Sequence, residues 1–566
     1  MQQNPQPSSV TPTAASADAK SEQTVVENTQ ADGSELSVDF GLSEPDKSRL
    51  EPESPGKPIQ NTGGRDNSAP VAETSSLQLS REMAVMEALR NNSSLKAQNL
   101  TPQRMVQFEQ IEQAVFDPNL ILEAQRSQQK TMFFFPGIGN LGETEIDQQK
   151  VGLNLNKRFS SGTQIEVSVS DQLIENSRDQ SWFDALPNDL MPIEFTEDSI
   201  NKQHQFRTGI TVSQALLRGA KPAANLARVR QAHLDQLASD YELKGYTADM
   251  IARVETLYWE YVLATEQLEI VKESLNLAQQ QADEIRKRVL VGQLAEVELP
   301  AASAEVALRR QALINVQNTR KRLRLQLWQQ IYGTVAPGWD TEIEPTEKPD
   351  IPQSLPIKEG VEMHVALSKK LRPDLNQARL QLQRGKLDVE LTRNGLLPRL
   401  DLFINLGKSG FAASFSDASS DWDDDQYDAS VGVRLEHAMG RRKEKGMFNI
   451  AQTSLEQLQF SLENLEELSE LDVRQAYLEV QRANEQIDAT KATRALQEVA
   501  YRAELQKFRV GRSTTLLVNR AQRDLMSSKI DEVQAIIDLR KAVLELYRRE
   551  GSLLERRGIE IDGAQA

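Results

Sequence analysis

The sequence predicts a mixed α/β protein of two structural repeats, each a long antiparallel coiled-coil helix hairpin with β-strands inserted at the same point. Three observations predict it. A helix-ending glycine tip occurs twice, in Arg288–Val306 (RVLVGQLAEVELPAASAEV) and in Lys507–Leu525 (KFRVGRSTTLLVNRAQRDL). Tyr258 precedes Gly292 by 34 residues (292 − 258) and Tyr477 precedes Gly511 by 34 (511 − 477). Leu95 to Pro118 and Leu375 to Pro398 are both 23 residues apart, at a common offset of 280 (375 − 95). A fixed internal period defines the architecture before any single element does.

The elements follow in order. Residues 1–75 carry 5 Lys/Arg against 12 Asp/Glu and are rich in Ser, Pro and Gln. Such a segment lacks the apolar surface that would offset its ordering entropy, and it reads as a disordered acidic tail. The first repeat spans 76–334. It opens on helical pattern from Arg81 to Phe116, which Pro118 ends by pushing the preceding residue to extended geometry.

Alternating segments follow within 119–215: Val151, Leu153, Leu155; Ile165, Val167, Val169; Phe206, Thr208, Ile210, Val212. Alternation marks a sheet with one apolar face; these residues fit two strands or four. The long helix then covers about Lys221–Val291, roughly 105 Å at ~1.5 Å per residue. Leu268, Val271, Leu275, Ala278, Ala282, Ile285 and Val289 keep an unbroken heptad register along it, the pattern of a coiled-coil seam. The return arm after the tip at 292 is about half as long, as is the incoming helix. Two half-length helices stacked end to end therefore match one long one.

Residues 335–356 read as a proline-rich linker. The second repeat, 357–555, has the same plan: incoming helix, break at Pro398, strands within 399–436, a seam through Ala476, Val480, Ala483 and Ile487, and the tip at 511. Leu400–Leu406 and Tyr427–Leu435 alternate, with a polar, acidic loop between them. Residues 556–566 form a short polar tail.

Composition narrows the chemistry. The chain is 39% hydrophobic, 5% aromatic and 26% charged, with mean hydropathy −0.52, a balance suited to long amphipathic helices. A net charge of −17 argues against nucleic acid as a partner. The absence of cysteine removes disulfides, thiolate metal sites and cysteine nucleophiles.

Residues 137–142, GIGNLG, match a dinucleotide fingerprint, but strand pattern follows instead of the helix whose N-terminus would hold a pyrophosphate. They read as an inter-strand loop, and Phe133, Phe134 and Phe135 beside them as membrane-interface aromatics. His204, His233, His364 and His437 show no metal spacing. Asp421–Asp425 (DWDDD) lacks the glycine and distal glutamate of a calcium loop. No catalytic, cofactor or metal residues are assigned.

The ordered set of ALRNNSSLKAQ and its counterpart, Pro118 and Pro398, SQALLRGAKPAAN and EHAMGRRKEKG where strand passes into helix, and VGQLAEVEL and VGRSTTLLV at the tips resembles the TolC-like outer-membrane efflux channel family over about residues 80–555. The resemblance implies a homotrimer whose strands share one outer-membrane β-barrel and whose helices form an α-barrel across the periplasm. It implies a passive exit duct for drugs, small molecules or proteins in a tripartite efflux or type I secretion system. Val291, Gly292, Gln293, Val510, Gly511 and Arg512 would then dock on a periplasmic adaptor that links the duct to an inner-membrane pump. In the best-known members aspartates ring the closed entrance; here the matching positions are Leu517 and Arg520. The expected constriction is instead Leu517 packing with Arg520–Glu298 pairing. Residues 1–16 show no export leader, so this reading expects a mature form or a late start. A rival reading, an elongated intracellular coiled-coil scaffold, explains the heptads but not strands at equivalent points of both repeats.

Overall fold

The computed structural model describes residues 76–134, 141–178, 202–333, 339–350, 357, 359–420 and 426–561. The expected acidic tail 1–75, residues 137–140 of the glycine motif and Asp421–Asp425 lie outside them.

Order along the chain is β1 (Ser76–Leu79), α1 (Arg81–Asn91), α2 (Ser93–Gln113), β2 (Asn119–Phe134), β3 (Leu141–Arg158), β4 (Thr163–Arg178), β5 (Lys202–Ala215), α3 (Pro222–Asn225), α4 (Ala227–Leu290) and α5 (Glu298–Tyr332). The second half continues with β6 (Glu342–Pro345), α6 (Val361–Leu371), α7 (Pro373–Gly395), β7 (Arg399–Ala412), α8 (Phe415–Ser420), β8 (Tyr427–Glu436), α9 (Arg442–Arg509), α10 (Thr515–Arg549) and α11 (Leu553–Arg556).

The helix expected from Arg81 to Phe116 breaks at Asn92, whose backbone is extended (φ −62°, ψ 114°). Asn92 accepts from Leu95 N at 3.0 Å and so caps α2, and its amide donates to Gln330 O at 3.0 Å. Arg372, 280 residues on (372 − 92), has φ −60° and ψ 121°; there Pro373 at the first helical position excludes the helical conformation from its predecessor. The two breaks are where half-helices meet end to end. Gly551 ends α10 against the second break so closely that a Cβ on it would lie 2.8 Å from Arg372 N.

The proline-rich linker contains a strand. β6 pairs in parallel with β1, Leu77 opposite Ile343. Four-residue strands cannot persist alone, and α4 holds this pair: Tyr258 donates to Leu79 O at 3.2 Å and Tyr261 to Ile343 O at 2.6 Å. Burial pushes the Tyr261 hydroxyl up to about 12. Tyr258, Trp259, Tyr261, Leu327 and Ile331 centre the largest apolar cluster. The seam residues Val480, Ala483 and Ile487 lie in a second cluster.

The choice between two strands and four in repeat one resolves to four, β2 to β5, and the sheet order is β2-β3-β4-β5-β7-β8 with every neighbour antiparallel. The loop expected after Leu406 is shorter than its sequence suggests, because β7 runs on to Ala412 and α8 follows.

Candidate membrane sheet and hairpin tips

The strands place most of their apolar residues on one face, with Ile121 and Phe403 on the other. Leu120 and Leu122 stand opposite Leu155 and Leu153, these opposite Val167 and Val169. Val167 faces Ile210, Ile210 faces Leu406, and Ile404 faces Val431. On β7 the band runs from Leu400 to Leu406, about 20 Å along the strand. These side chains are exposed: Leu122 is 73% accessible, Val431 73% and Leu406 56%. The opposite face carries Asn154, Ser168, Thr211, Asn405 and Ser430 with Gly152, Gly209 and Gly407. An exposed apolar band on one face and small polar residues on the other is the dyad pattern of a lipid-facing barrel wall. Above the band the apolar-side row turns polar, with Arg126–Asp147 at 2.6 Å and His204–Asp171 at 2.9 Å. Pro118 and Pro398 stand immediately before β2 and β7, where they end the incoming helices.

At the far end of α4 and α9 the two tips have one backbone design. Gly292 N donates to Val289 O at 3.0 Å and Gln293 N to Arg288 O at 2.8 Å; Gly511 N donates to Phe508 O at 3.0 Å and Arg512 N to Lys507 O at 2.8 Å. Both are Schellman caps, which need a left-handed residue after the helix; φ is +74° at Gly292 and +75° at Gly511. No atom lies within 4 Å of a Cβ built on either glycine, so the tips project freely. Val291 and Val510 are exposed, 68% and 70%, and so are Gln293 and Arg512.

Restart after the turn differs. Thr514 caps α10 by accepting from Leu517 N, whereas α5 begins after Val297 with no side-chain cap. α10 buries Thr515, Val518, Asn519 and Gln522 and presents Leu517 and Arg520 outward. Within one chain Arg520 and Glu298 make no ion pair with each other among the described residues, so the expected pairing is not formed inside a protomer.

Sequence reasoning missed what holds the two tips together. Phe508, Ile285, Ala302 and Val518 form one apolar cluster drawn from both hairpins, and the Arg288 guanidinium lies 5.5 Å from the Phe508 ring centroid. Phe508 had a visible signal, being the aromatic residue immediately before the second tip. Further in, Glu305 and Arg309 of α5 are buried and paired at 2.8 Å, and Arg523 of α10 approaches Glu305 at 3.5 Å. Glu504 sits beside the second tip, where the Ser513 hydroxyl and then Lys507 hold its carboxyl below the usual range.

Three of the histidines have carboxylate partners: besides His204, His233 meets Glu109 at 3.1 Å, and His364 is buried against Glu550. Among the described residues no cluster of His, Asp and Glu is able to hold a metal ion, and no helix is long and apolar enough to cross a membrane.

An exposed apolar sheet carried on long coiled-coil hairpins is the fold of TolC-like α/β channels. Residues 365–552 match the family model described as outer membrane efflux protein. That match falls within the second repeat, so it is this repeat that is similar to the outer-membrane efflux family. Solved structures share the fold. The CmeC outer membrane channel of Campylobacter jejuni is 13% identical, with 88% of this chain and 94% of that one covered at a TM-score of 0.59. The outer membrane protein VceC of Vibrio cholerae is 14% identical, covering 83% and 96% at 0.59. The CusC structure is 16% identical, covering 83% and 92% at 0.59. A sequence search among curated proteins finds no match.

Proposed function

We propose that three copies of this chain form one exit duct, open through the outer membrane and reaching across the periplasm to an adaptor protein and an energised inner-membrane pump. The observation that carries the reading is the separation of two incomplete surfaces. One end of the molecule is a sheet with an exposed apolar face and, among the described residues, two unpaired edges. The other is a pair of matched glycine tips, reached along α4, whose 64 residues span about 95 Å.

Neither surface is satisfied in one protomer. In lipid an open sheet edge leaves backbone groups without partners, so the wall must close with further strands. α9 likewise leaves Phe460, Leu478 and Leu496 exposed, at 71%, 62% and 71%, an apolar surface suited to a neighbouring protomer's helices. The tips offer backbone caps and the exposed Val291, Gln293, Val510 and Arg512 to an adaptor. Leu517 and Arg520, one turn apart on the outward side of α10, are the proposed constriction, with Arg520 meeting Glu298 of another protomer. With no acidic side chain at either position, the entrance selects cations only weakly. Tripartite drug efflux and type I secretion both use such a duct.

Planar-bilayer recording tests this. The purified protein inserts and conducts, and Leu517→Ala and Arg520→Ala raise conductance or change ion selectivity. Conductance and selectivity unchanged in both variants would remove these residues from the constriction. A protein that never inserts would remove the duct.

A further inference from the structure

Repeat one contributes twice as many strands to the sheet as repeat two, and this sets the size of the outlet. β2 follows Pro118 as β7 follows Pro398, and β5 leads into α3–α4 as β8 leads into α9. The β3–β4 hairpin is thus the part of repeat one without a counterpart. It is fully integrated in the sheet: β3 is paired along Arg126–Gln149 on one side and Leu155–Val167 on the other.

The sheet edges are then β2 and β8. Three features make these edges complementary to one another across two copies. First, six antiparallel strands leave β2 and β8 running in opposite directions, so β8 of one protomer meets β2 of the next as an antiparallel pair; an odd count would force a parallel joint. Second, the apolar row continues across the joint. Leu435 and Val433 lie at the same end of the sheet as Leu120 and Leu122, since Leu435 pairs Leu400 at the Pro398 end and Leu120 follows Pro118. Third, β8 (YDASVGVRLE) has neither lysine nor proline, the residues that blunt an edge meant to stay unpaired.

We infer that a trimer of this chain closes an eighteen-stranded barrel, six strands from each of three protomers, with the partner at each edge a second copy of the chain. The inference rests on the trimeric duct proposed above and adds its strand number and its joint. At about 4.8 Å between strands and a tilt of about 40°, eighteen strands give a backbone diameter of roughly 36 Å. Twelve strands, the number without β3 and β4, give roughly 24 Å by the same geometry. Barrels of eighteen strands hold a water-filled channel. Gly152, Gly209 and Gly407, all on the polar face, keep side chains out of that bore. The outlet is therefore wide enough to leave size selection to the narrow tip end.

Disulfide mapping tests the joint in a chain that has no cysteine of its own. Val433→Cys on β8 is combined in turn with Leu120→Cys, Leu122→Cys or Ala124→Cys on β2, and separately with Val167→Cys or Val169→Cys on β4. The full chain is oxidised in outer membranes and run on denaturing gels, with subunit number measured in parallel on the cysteine-free protein. The expected result is a trimer in which at least one β8–β2 combination gives covalent dimers and trimers and neither β8–β4 combination does. A trimer cross-linked through β8–β4, or through neither set, overturns the eighteen-strand joint and leaves the duct standing. A protein that is not trimeric overturns the duct itself.

Discussion

The two repeats share their joints and differ in what fills the space between them. Asn92 and Arg372 break the incoming helices with nearly the same dihedrals, and Gly292 and Gly511 end the long helices with the same pair of backbone hydrogen bonds. The filling is unlike. α4 buries 24 of its 64 residues, including Tyr258, Trp259 and Tyr261; α9 buries 9 of 68. Repeat one carries the aromatic centre and four strands, while repeat two leaves most of its long helix open and caps its tip with Thr514. Backbone chemistry therefore sets the frame twice, and side-chain packing assigns the frame's halves different duties. Repeat one holds the protomer together, and repeat two leaves the apolar surface that the proposed trimer would cover.

The sharpest way to break that contrast is at equivalent positions of α4 and α9. Glu255 and Arg474 both lie 37 residues before their tips (292 − 255 and 511 − 474). Glu255 is 1% exposed and accepts from Arg557 at 2.6 and 2.7 Å, with Arg81 3.7 Å away. Glu255→Ala leaves two guanidinium groups without their shared carboxylate and is expected to cost about 3 kcal/mol in thermal unfolding of detergent-solubilised protein. Arg474 pairs with Glu470 and Glu362 in solvent, and Arg474→Ala should cost less than about 1 kcal/mol.

The glycine joints come next. Gly551→Ala drives a Cβ into the Arg372 backbone at positive φ and is expected to cost about 3 kcal/mol. Gly511→Ala meets open space, so only the left-handed conformation opposes it, at about 1–2 kcal/mol. Equal losses would mean that the second break is not the tight joint described. Tyr258→Phe removes a buried hydrogen bond to Leu79 O, which keeps its bond from Thr346 N, and the contact from Glu347 N, about 1 kcal/mol. Tyr477→Phe removes only an exposed 3.4 Å contact to Glu359 O and should fall within about 0.5 kcal/mol. Thr514→Ala loses the cap of α10, about 1 kcal/mol, with no matching residue to lose in repeat one.

The smallest effect is pH-dependent and confined to the second tip. The Glu504 carboxyl is depressed in the folded protein, so its contribution is present above its unfolded value and is lost as pH falls through the folded one. Hydrogen exchange at 507–517 is expected to quicken below the ordinary carboxylate range while 288–298 is unchanged. Glu504→Gln should show the quickened exchange at neutral pH.

Much of the frame was legible because it rests on residues with strong local consequences. Pro118 and Pro398 permit no helix to run through them, Gly292 and Gly511 supply positive φ, and the 268–289 heptads leave one stripe to bury. The four-strand count was not legible, because the upper half of β3 (GETEIDQQK) is polar on both faces and shows no alternation to read. β1 and β6 are too short to signal themselves and depend on the Tyr258 and Tyr261 hydroxyls from elsewhere in the chain. The break at Asn92 has no proline after it, unlike Arg372, and exists through tertiary bonds to Gln330. At the tips the exposed residues were readable from spacing. The Phe508 cluster and the approach of Arg523 to Glu305 were not, since both join two hairpins more than 200 residues apart.

Electron microscopy of the detergent-solubilised protein tests the central claim most directly. The account predicts a threefold hollow cylinder about 95 Å or more in helical length, with a barrel at one end and the two sets of glycine tips gathered at the other. A solid rod, or a particle without threefold symmetry, would contradict it.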